Sequence, residues 1–330
     1  GITNRNVIIN GAMNVAQRST SEASKGDADG YFTTDRWYIN VGDTSTGRFT
    51  MSQDSSAPAG FANSTKFACT AIDTSIAAGE FLQFQQRIEG QNLQGFAKGS
   101  SDAKPFAVSF YVKGNASATY ACELFDRDNT RQASKLFNVT TDWTRVELTF
   151  DKDTTGAFDD DNARSLDLTI FLHAGSDYTS GTLNQSFAST TNANRAVGIS
   201  SFFDSTDRTF FITGVQLEVG QNPTEFEHEP FERTLAKCQR YAYDITGVDA
   251  YIGGSPGTGT SYDFYLPMAF PVEMRATPTA TNYTYTANNS AISNGAFANS
   301  AKSWKVSIRP NSVTTEQGVI IDSGIFGAEL

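Results

Sequence analysis

The feature that most constrains this fold is a series of short segments in which apolar and polar side chains alternate. In the clearest one, Phe106 to Lys113, every second residue from Phe106 to Val112 is a large apolar residue. A period of two places these side chains on one face of a β-strand. Clusters of Gly, Asn, Asp and Ser separate such segments, so the chain is predicted to form an antiparallel sandwich or barrel. The other segments are Lys66 to Ala71, Glu80 to Ile88, Thr119 to Asp126, Thr144 to Phe150, Leu166 to His173 and Phe210 to Val219.

A helical pattern follows the last of these segments. Gln221 to Glu232 contains two prolines and no clear period, which indicates an extended link. After the link, four side chains fall at i, i+4, i+7 and i+11, the spacing of one helix face. Because so short a helix must pack on something, we expect this stripe to contact either its own sheet or other copies of the chain. The four residues are Phe231, Leu235, Cys238 and Ala242.

Beyond Gly247 the chain becomes rich in Asn, Thr, Ser and Gly, with shorter strand signals. We therefore predict three parts: a β-domain of residues 1–222, a linker with a short helix at 223–246, and a small C-terminal β-domain at 247–330. The predicted fold class is all-β, with an N-terminal sandwich, a short linking helix and a small C-terminal sandwich.

Composition argues against several classes of protein. The 330 residues carry a formal net charge of -11, which disfavours binding to nucleic acid or to an anionic membrane. No apolar run approaches the roughly 20 residues of a membrane-spanning helix. Three cysteines without a CxxC pair and two separated histidines indicate neither a disulfide framework nor a zinc site. No cofactor or metal is predicted.

The densest negative charge lies in Asp151 to Asp161, DKDTTGAFDDD. Calcium takes several carboxylate and carbonyl oxygens, so a calcium loop is one interpretation of this segment. Its spacing does not match an EF-hand loop, and we favour a solvated turn.

Common catalytic motifs are absent from the sequence. It contains no GxSxG, HExxH, GxxxxGK[ST] or GxGxxG. A serine hydrolase would have to use His173 or His228, and His228 lies in the charged link. Several glutamates fall on predicted strands, but nothing in the sequence selects the pair that a glycosidase needs. We predict a protein that is not an enzyme.

Five motifs resemble a family of tailed-bacteriophage virion proteins of the tail fibre or capsid-associated type. They are NVIINGAMNVAQR (Asn6 to Arg18), TTDRWY (Thr33 to Tyr38), ITGVQLEVG (Ile212 to Gly220), TEFEHEPFERTLAKCQRY (Thr224 to Tyr241) and FPVEMRATPT (Phe270 to Thr279). The strand pattern of the first domain is also similar to jelly-roll carbohydrate-binding modules. In those modules an opening strand-Asn-Gly and a closing Val-x-Leu-Glu strand lie close together, which would here be Asn10-Gly11 and Val215 to Glu218.

The resemblance implies a jelly-roll sandwich, a location in the virion, and a homotrimer that contacts other virion proteins. It implies a tail fibre that attaches to host-surface glycans without catalysis. A head fibre, capsid decoration or tail-assembly protein is the first alternative, and a glycan depolymerase is the second. Sugars stack on flat aromatic rings while polar groups bind their hydroxyls. The candidate ligand residues by type are Trp37, Tyr38 and Trp143 in the first domain and Tyr283, Tyr285 and Trp304 in the second. The helical stripe is the candidate oligomer contact.

Overall fold

The computed structural model describes residues 4–43, 45–252, 264–288, 290–291, 296–310 and 317–330. The chain forms two units, one of Gly1–Phe231 together with Leu330 and one of Glu232–Glu329. The boundary therefore lies after Phe231, later than the predicted end of the first domain at residue 222.

The first unit is built from thirteen strands within its described residues, joined by short turns and a few single helical turns. A short helix, α1 (Ser176–Thr179), and four 3-10 turns at Gly90–Asn92, Gln94–Phe96, Asn192–Asn194 and Phe202–Asp204 interrupt the loops. The strands are β1 (Ser21–Lys25), β2 (Gly30–Tyr31), β3 (Trp37–Gly42), β4 (Arg48–Asp54), β5 (Ser64–Ala71), β6 (Phe81–Glu89), β7 (Phe106–Gly114), β8 (Ala118–Asp126), β9 (Arg131–Val139), β10 (Thr144–Phe150), β11 (Arg164–Ala174), β12 (Ala188–Ser189) and β13 (Thr209–Val219).

These strands form two antiparallel sheets. The six-stranded sheet has the order β1-β4-β5-β13-β7-β10, and the seven-stranded sheet has the order β12-β9-β8-β11-β6-β3-β2. Side chains from both sheets meet in one core, with Phe67 and Phe110 on the first and Phe84 and Leu168 on the second. The predicted jelly-roll β-sandwich is confirmed.

The opening Asn-Gly motif lies against the closing strand, as the resemblance implies. The Val215 amide donates to the Gly11 carbonyl at 3.0 Å. A Cβ atom at Gly11 would lie 2.1 Å from the Val215 carbonyl oxygen, so the close approach requires glycine there. Asn10 adopts a positive φ of 58°, and its side-chain amide donates to the carbonyls of Val15 and Asp35.

The extended link that precedes the helix is hydrogen-bonded to the first unit. The Glu227 carboxylate accepts hydrogen bonds from the amides of Asn4, Arg5 and Asn6 at 2.6, 2.7 and 3.0 Å. Although partial burial opposes its ionisation, these three donors hold the pKa of Glu227 below its usual range. This segment therefore belongs to the first sandwich because its polar groups are satisfied there.

The second unit is a small β-sandwich with two sheets and its own apolar core. One described sheet joins β14, β21, β15 and β17, and the other joins β16, β20, β18 and β19. Trp304, Val306, Ile321 and Phe326 are among the buried side chains of its core. The strands are β14 (Ala242–Asp244), β15 (Asp249–Ile252), β16 (Phe264–Ala269), β17 (Thr279–Asn288), β18 (Ser290–Ala291), β19 (Ala296–Ala298), β20 (Ser303–Pro310) and β21 (Gln317–Gly327).

The predicted helix exists, but the predicted stripe is too long. Helix α2 spans Phe231–Gln239. Ala242 lies beyond it in β14, paired with Gly327, and both Ala242 and Cys238 are fully buried within the chain. Neither can therefore contact another copy, and the prediction that they do so is wrong. Phe231 is 54% exposed, and Leu235 is partly exposed.

Among the described residues, we find no helix with the length and apolar character to cross a membrane.

Candidate functional site

Two of the six predicted ligand aromatics are core residues. Trp37 has no exposed surface, because its ring stacks on Phe84 at a centroid distance of 4.6 Å and its indole nitrogen donates to the Asn10 carbonyl. Trp304 is 2% exposed and packs against Phe326. The prediction that these two rings stack on a ligand is wrong, because neither has a free face.

Tyr38 lies on the opposite side of β3 from Trp37 and is partly exposed. The guanidinium carbon of Arg87 lies 3.4 Å from the centroid of its ring, and Tyr31 contacts the ring edge-on at 4.9 Å. The Arg87 guanidinium thus already covers one face of the Tyr38 ring, and less ring surface remains for a sugar.

Tyr283 and Tyr285 lie side by side on β17, with ring centroids 5.7 Å apart. They differ in exposure. Tyr283 packs against the core of the second unit with its hydroxyl buried, and this burial raises its pKa to about 12. Tyr285 is 41% exposed. Tyr285 is therefore the more exposed ring of the predicted pair, and Tyr283 is partly buried.

Trp143 is partly exposed in the turn between β9 and β10, at one end of the sandwich. Its ring meets Phe211 edge-on, with centroids 6.1 Å apart. Phe211 points outward because Phe210 and Ile212, its neighbours on β13, point into the core. The turn thus places the indole at the edge of the outer face of the six-stranded sheet.

Two lysines flank Phe211 on that face. Lys66 on β5 and Lys113 on β7 are its direct cross-strand partners, and their ammonium nitrogens lie 5.3 and 5.8 Å from its ring centroid. Lys66, Phe211, Lys113 and Trp143 form what we call the Trp143 row. Sequence inspection missed Phe211 and both lysines, because Phe210, Phe211 and Ile212 are all apolar and a register shift between Thr213 and Gln216 breaks the alternation of β13.

An open cavity of about 300 Å³ lies at the same end of the sandwich. The turn between β9 and β10 contributes to both features, because Thr140 lines the cavity and Trp143 belongs to the Trp143 row. The Gly114 amide donates to the Thr140 carbonyl at 2.8 Å and holds the turn against β7. The lining residues carry hydroxyl, amide and aliphatic groups and no charge, which suits the recognition of sugar hydroxyls. They are Ser117, Ala118, Thr119, Asn138, Val139, Thr140 and Ser200.

A second cluster has the residue types of a hydrolase but not the access. His173 Nδ1 lies 2.8 Å from Ser201 Oγ, and its Nε2 lies 3.5 Å from Glu80 Oε2. The ring has no exposed surface, and burial lowers its pKa to about 4, so the imidazole is neutral. Ser201 Oγ also accepts the Phe203 amide. We interpret this cluster as a buried structural network.

The Asp-rich segment is less solvated than predicted. Asp153 is buried, and its carboxylate binds Arg131 Nε at 2.7 Å and Lys98 Nζ at 3.3 Å. Lys98 Nζ also binds Asp126 at 2.6 Å and donates to the carbonyls of Thr155 and Gly156. An ammonium group thus lies among oxygen atoms of the kind that calcium would take. Within the described residues, no group of three or more His, Cys, Asp or Glu side chains is placed to hold a metal ion.

No protein-family model matches the chain, and no similar sequence was found among curated proteins. Among solved structures, TmCBM61 in complex with β-1,4-galactotriose is 11% identical over 66% of this chain and 100% of its own, with a TM-score of 0.34. A family 11 carbohydrate-binding module from Clostridium thermocellum, in complex with a mixed-linked tetrasaccharide, is 11% identical over 64% of this chain and 99% of its own, with a TM-score of 0.29.

The enzymatically active domain of bacteriophage CBA120 tailspike protein 4 is 12% identical over 66% of this chain, with a TM-score of 0.33. The match spans 22% of the tailspike domain's own length. All three likenesses concern the fold alone.

Proposed function

We propose that this chain is a non-catalytic virion protein of a tailed bacteriophage, part of a tail fibre that binds host-surface glycans. The observation that carries glycan binding is the turn of residues 140–143. It contributes Thr140 to an uncharged, hydroxyl-lined cavity and Trp143 to an outward-facing aromatic row. A sugar needs both elements, because its C–H face packs on an aromatic ring while its hydroxyls bind polar groups.

The test of this site is a glycan array probed with the intact protein and two variants. We expect saturable binding by the wild type and a loss of about fivefold or more in affinity for Trp143→Ala, since an aromatic platform contributes about 1 kcal/mol or more. Tyr285→Ala is the matched control, because Tyr285 is also an exposed aromatic residue but lies on β17. Loss of binding in Tyr285→Ala with none in Trp143→Ala would overturn the proposed site.

The virion assignment rests on the resemblance of the five sequence motifs. Antibody labelling of phage particles, viewed by electron microscopy, tests it. Label on the tail fibres supports attachment to the host. Label confined to the head would replace the tail fibre with a head fibre or capsid decoration protein.

The proposed assembly is a homotrimer with helix α2 near the three-fold axis. The exposed ring of Phe231 and the partly exposed side chain of Leu235 support this placement. Sedimentation velocity on the wild type and on Leu235→Asp tests it. We expect a trimer that the aspartate weakens, because a charge would be desolvated in the interface. A wild-type monomer contradicts the proposed assembly.

A further inference from the structure

We propose that the Trp143 row selects glycans whose sugars carry an anionic group, such as a carboxylate or a sulfate. This inference rests on the proposed function and specifies the chemistry of its ligand. The evidence is the arrangement of charge on the row. Two ammonium groups flank one aromatic ring on the outer face of a chain whose formal net charge is -11.

The spacing of the lysines matches an extended ligand. Lys66 and Lys113 lie on the two strands that neighbour β13, so their backbones are about 10 Å apart, which is two strand spacings. A sugar ring is about half as long as the distance between these two backbones. An oligosaccharide lying across the strands would therefore pass the two cations in turn, above the Phe211 ring that they leave only 9% exposed, before it reaches Trp143.

Both cations are accessible to a ligand. Lys113 is partly exposed and has no carboxylate within ion-pair distance in the described part of the chain. Lys66 pairs with Asp54 at 3.5 Å, and both side chains are partly exposed. Exposed pairs of this kind contribute little to stability, so a ligand anion can displace the carboxylate. One exposed acidic residue, Asp142, precedes Trp143 and opposes the binding of an anion.

A structural explanation competes with this one. The lysines also lie over the Phe211 ring, and cation–π contacts alone would stabilise the sheet face. The two explanations differ in what removal of the charge does: a purely structural role predicts lower stability with an unchanged preference for acids, whereas anion binding predicts loss of that preference. Arginine keeps both the ring contact and the positive charge, whereas methionine keeps the length of the side chain and loses the charge.

The experiment is an array of matched pairs, in which each oligosaccharide is printed once with its carboxylate free and once as the methyl ester. Wild-type protein should bind the free acids at least tenfold more tightly, and added salt should reduce that preference. Lys113→Met should remove most of the preference while keeping binding to the esters, and Lys113→Arg should retain it. Asp142→Asn should increase binding to the acids.

The possible failures are distinguishable. If no glycan binds the wild type, the proposed function fails and the inference fails with it. If acids and esters bind equally, or if Lys113→Met keeps the full preference, glycan binding stands and the inference is overturned. Thermal unfolding of each variant checks that it is folded.

Discussion

The Lys98 ammonium holds a buried part of the Asp-rich segment together, and removing its charge should destabilise the first unit. The Lys98 side chain has no exposed surface, and the carboxylates of Asp126 and Asp153 lie 2.6 and 3.3 Å from its ammonium nitrogen. In Lys98→Met, Asp153 keeps Arg131, but Asp126 keeps only the uncharged donors of Asn129. Breaking a buried pair typically costs about 3–5 kcal/mol. Because Asn129 still binds Asp126, we expect a loss of about 3 kcal/mol.

Urea unfolding of the full chain, followed by circular dichroism, measures this loss in the transition of the first unit. Lys152→Met is the matched control, since Lys152 lies in the same segment but is exposed, and we expect it to change stability by less than about 0.5 kcal/mol. A further variant, Lys98→Ser, exposes the vacated oxygen atoms, and we expect calcium to restore part of its stability. A loss below about 1 kcal/mol in Lys98→Met would refute the reasoning that the ammonium compensates the buried carboxylates.

Two other titratable groups, one buried and one partly buried, give predictions for acid stability. The pKa of His173 in the folded state, about 4, lies below its ordinary value of about 6.5, so the unfolded chain takes up the proton first. The free energy of unfolding should therefore fall by up to about 3 kcal/mol between pH 6.5 and 4. When it is measured against pH, His173→Gln should show a smaller fall. An unchanged slope in this variant contradicts the buried neutral imidazole. The pKa of Glu227 is lowered in the folded state. Glu227 therefore stabilises the fold at a pH above its ordinary pKa, and this contribution is lost as the pH falls through its pKa in the folded state. In chemical unfolding at pH 7, Glu227→Gln should lower the free energy of unfolding by about 1–3 kcal/mol. The control Glu225→Gln should leave it almost unchanged, because the Glu225 side chain is 89% exposed. Equal losses in the two variants would show that the three amide contacts of Glu227 do not contribute to stability.

The strands with strict alternation could be predicted from the sequence. Thr144–Phe150 has the predicted bounds, and the segment at Phe210 to Val219 differs by one residue from the observed Thr209–Val219. Thr144–Phe150 has one face in the core, which imposes a period of two, whereas Thr209–Val219 is recognised by its β-branched and aromatic residues although both of its faces are covered. Arg131–Val139 was missed because its polar and apolar residues do not alternate cleanly, and Ser21–Lys25 because it is short and mostly exposed.

The candidate site was harder to predict, because it depends on contacts between distant parts of the chain. Residue type alone does not distinguish Trp37, which fills the core, from Trp143, which is partly exposed at a turn. Lys66 and Lys113 acquire their role only when β13 lies between their strands and brings Phe211 to both. The burial of Lys98 similarly depends on carboxylates more than 25 positions away along the chain. Analysis of local sequence patterns cannot detect a site whose residues are far apart in the sequence and meet only in the fold.

The most direct test of the account is a crystal structure of the intact protein with the oligosaccharide that binds most tightly on the array. The account predicts a sugar ring against Trp143, hydroxyls directed to the cavity at Thr140 and Asn138, and an anionic group near Lys113. A sugar bound elsewhere, for example on Tyr285 of the second unit, with the Trp143 turn empty, would contradict it.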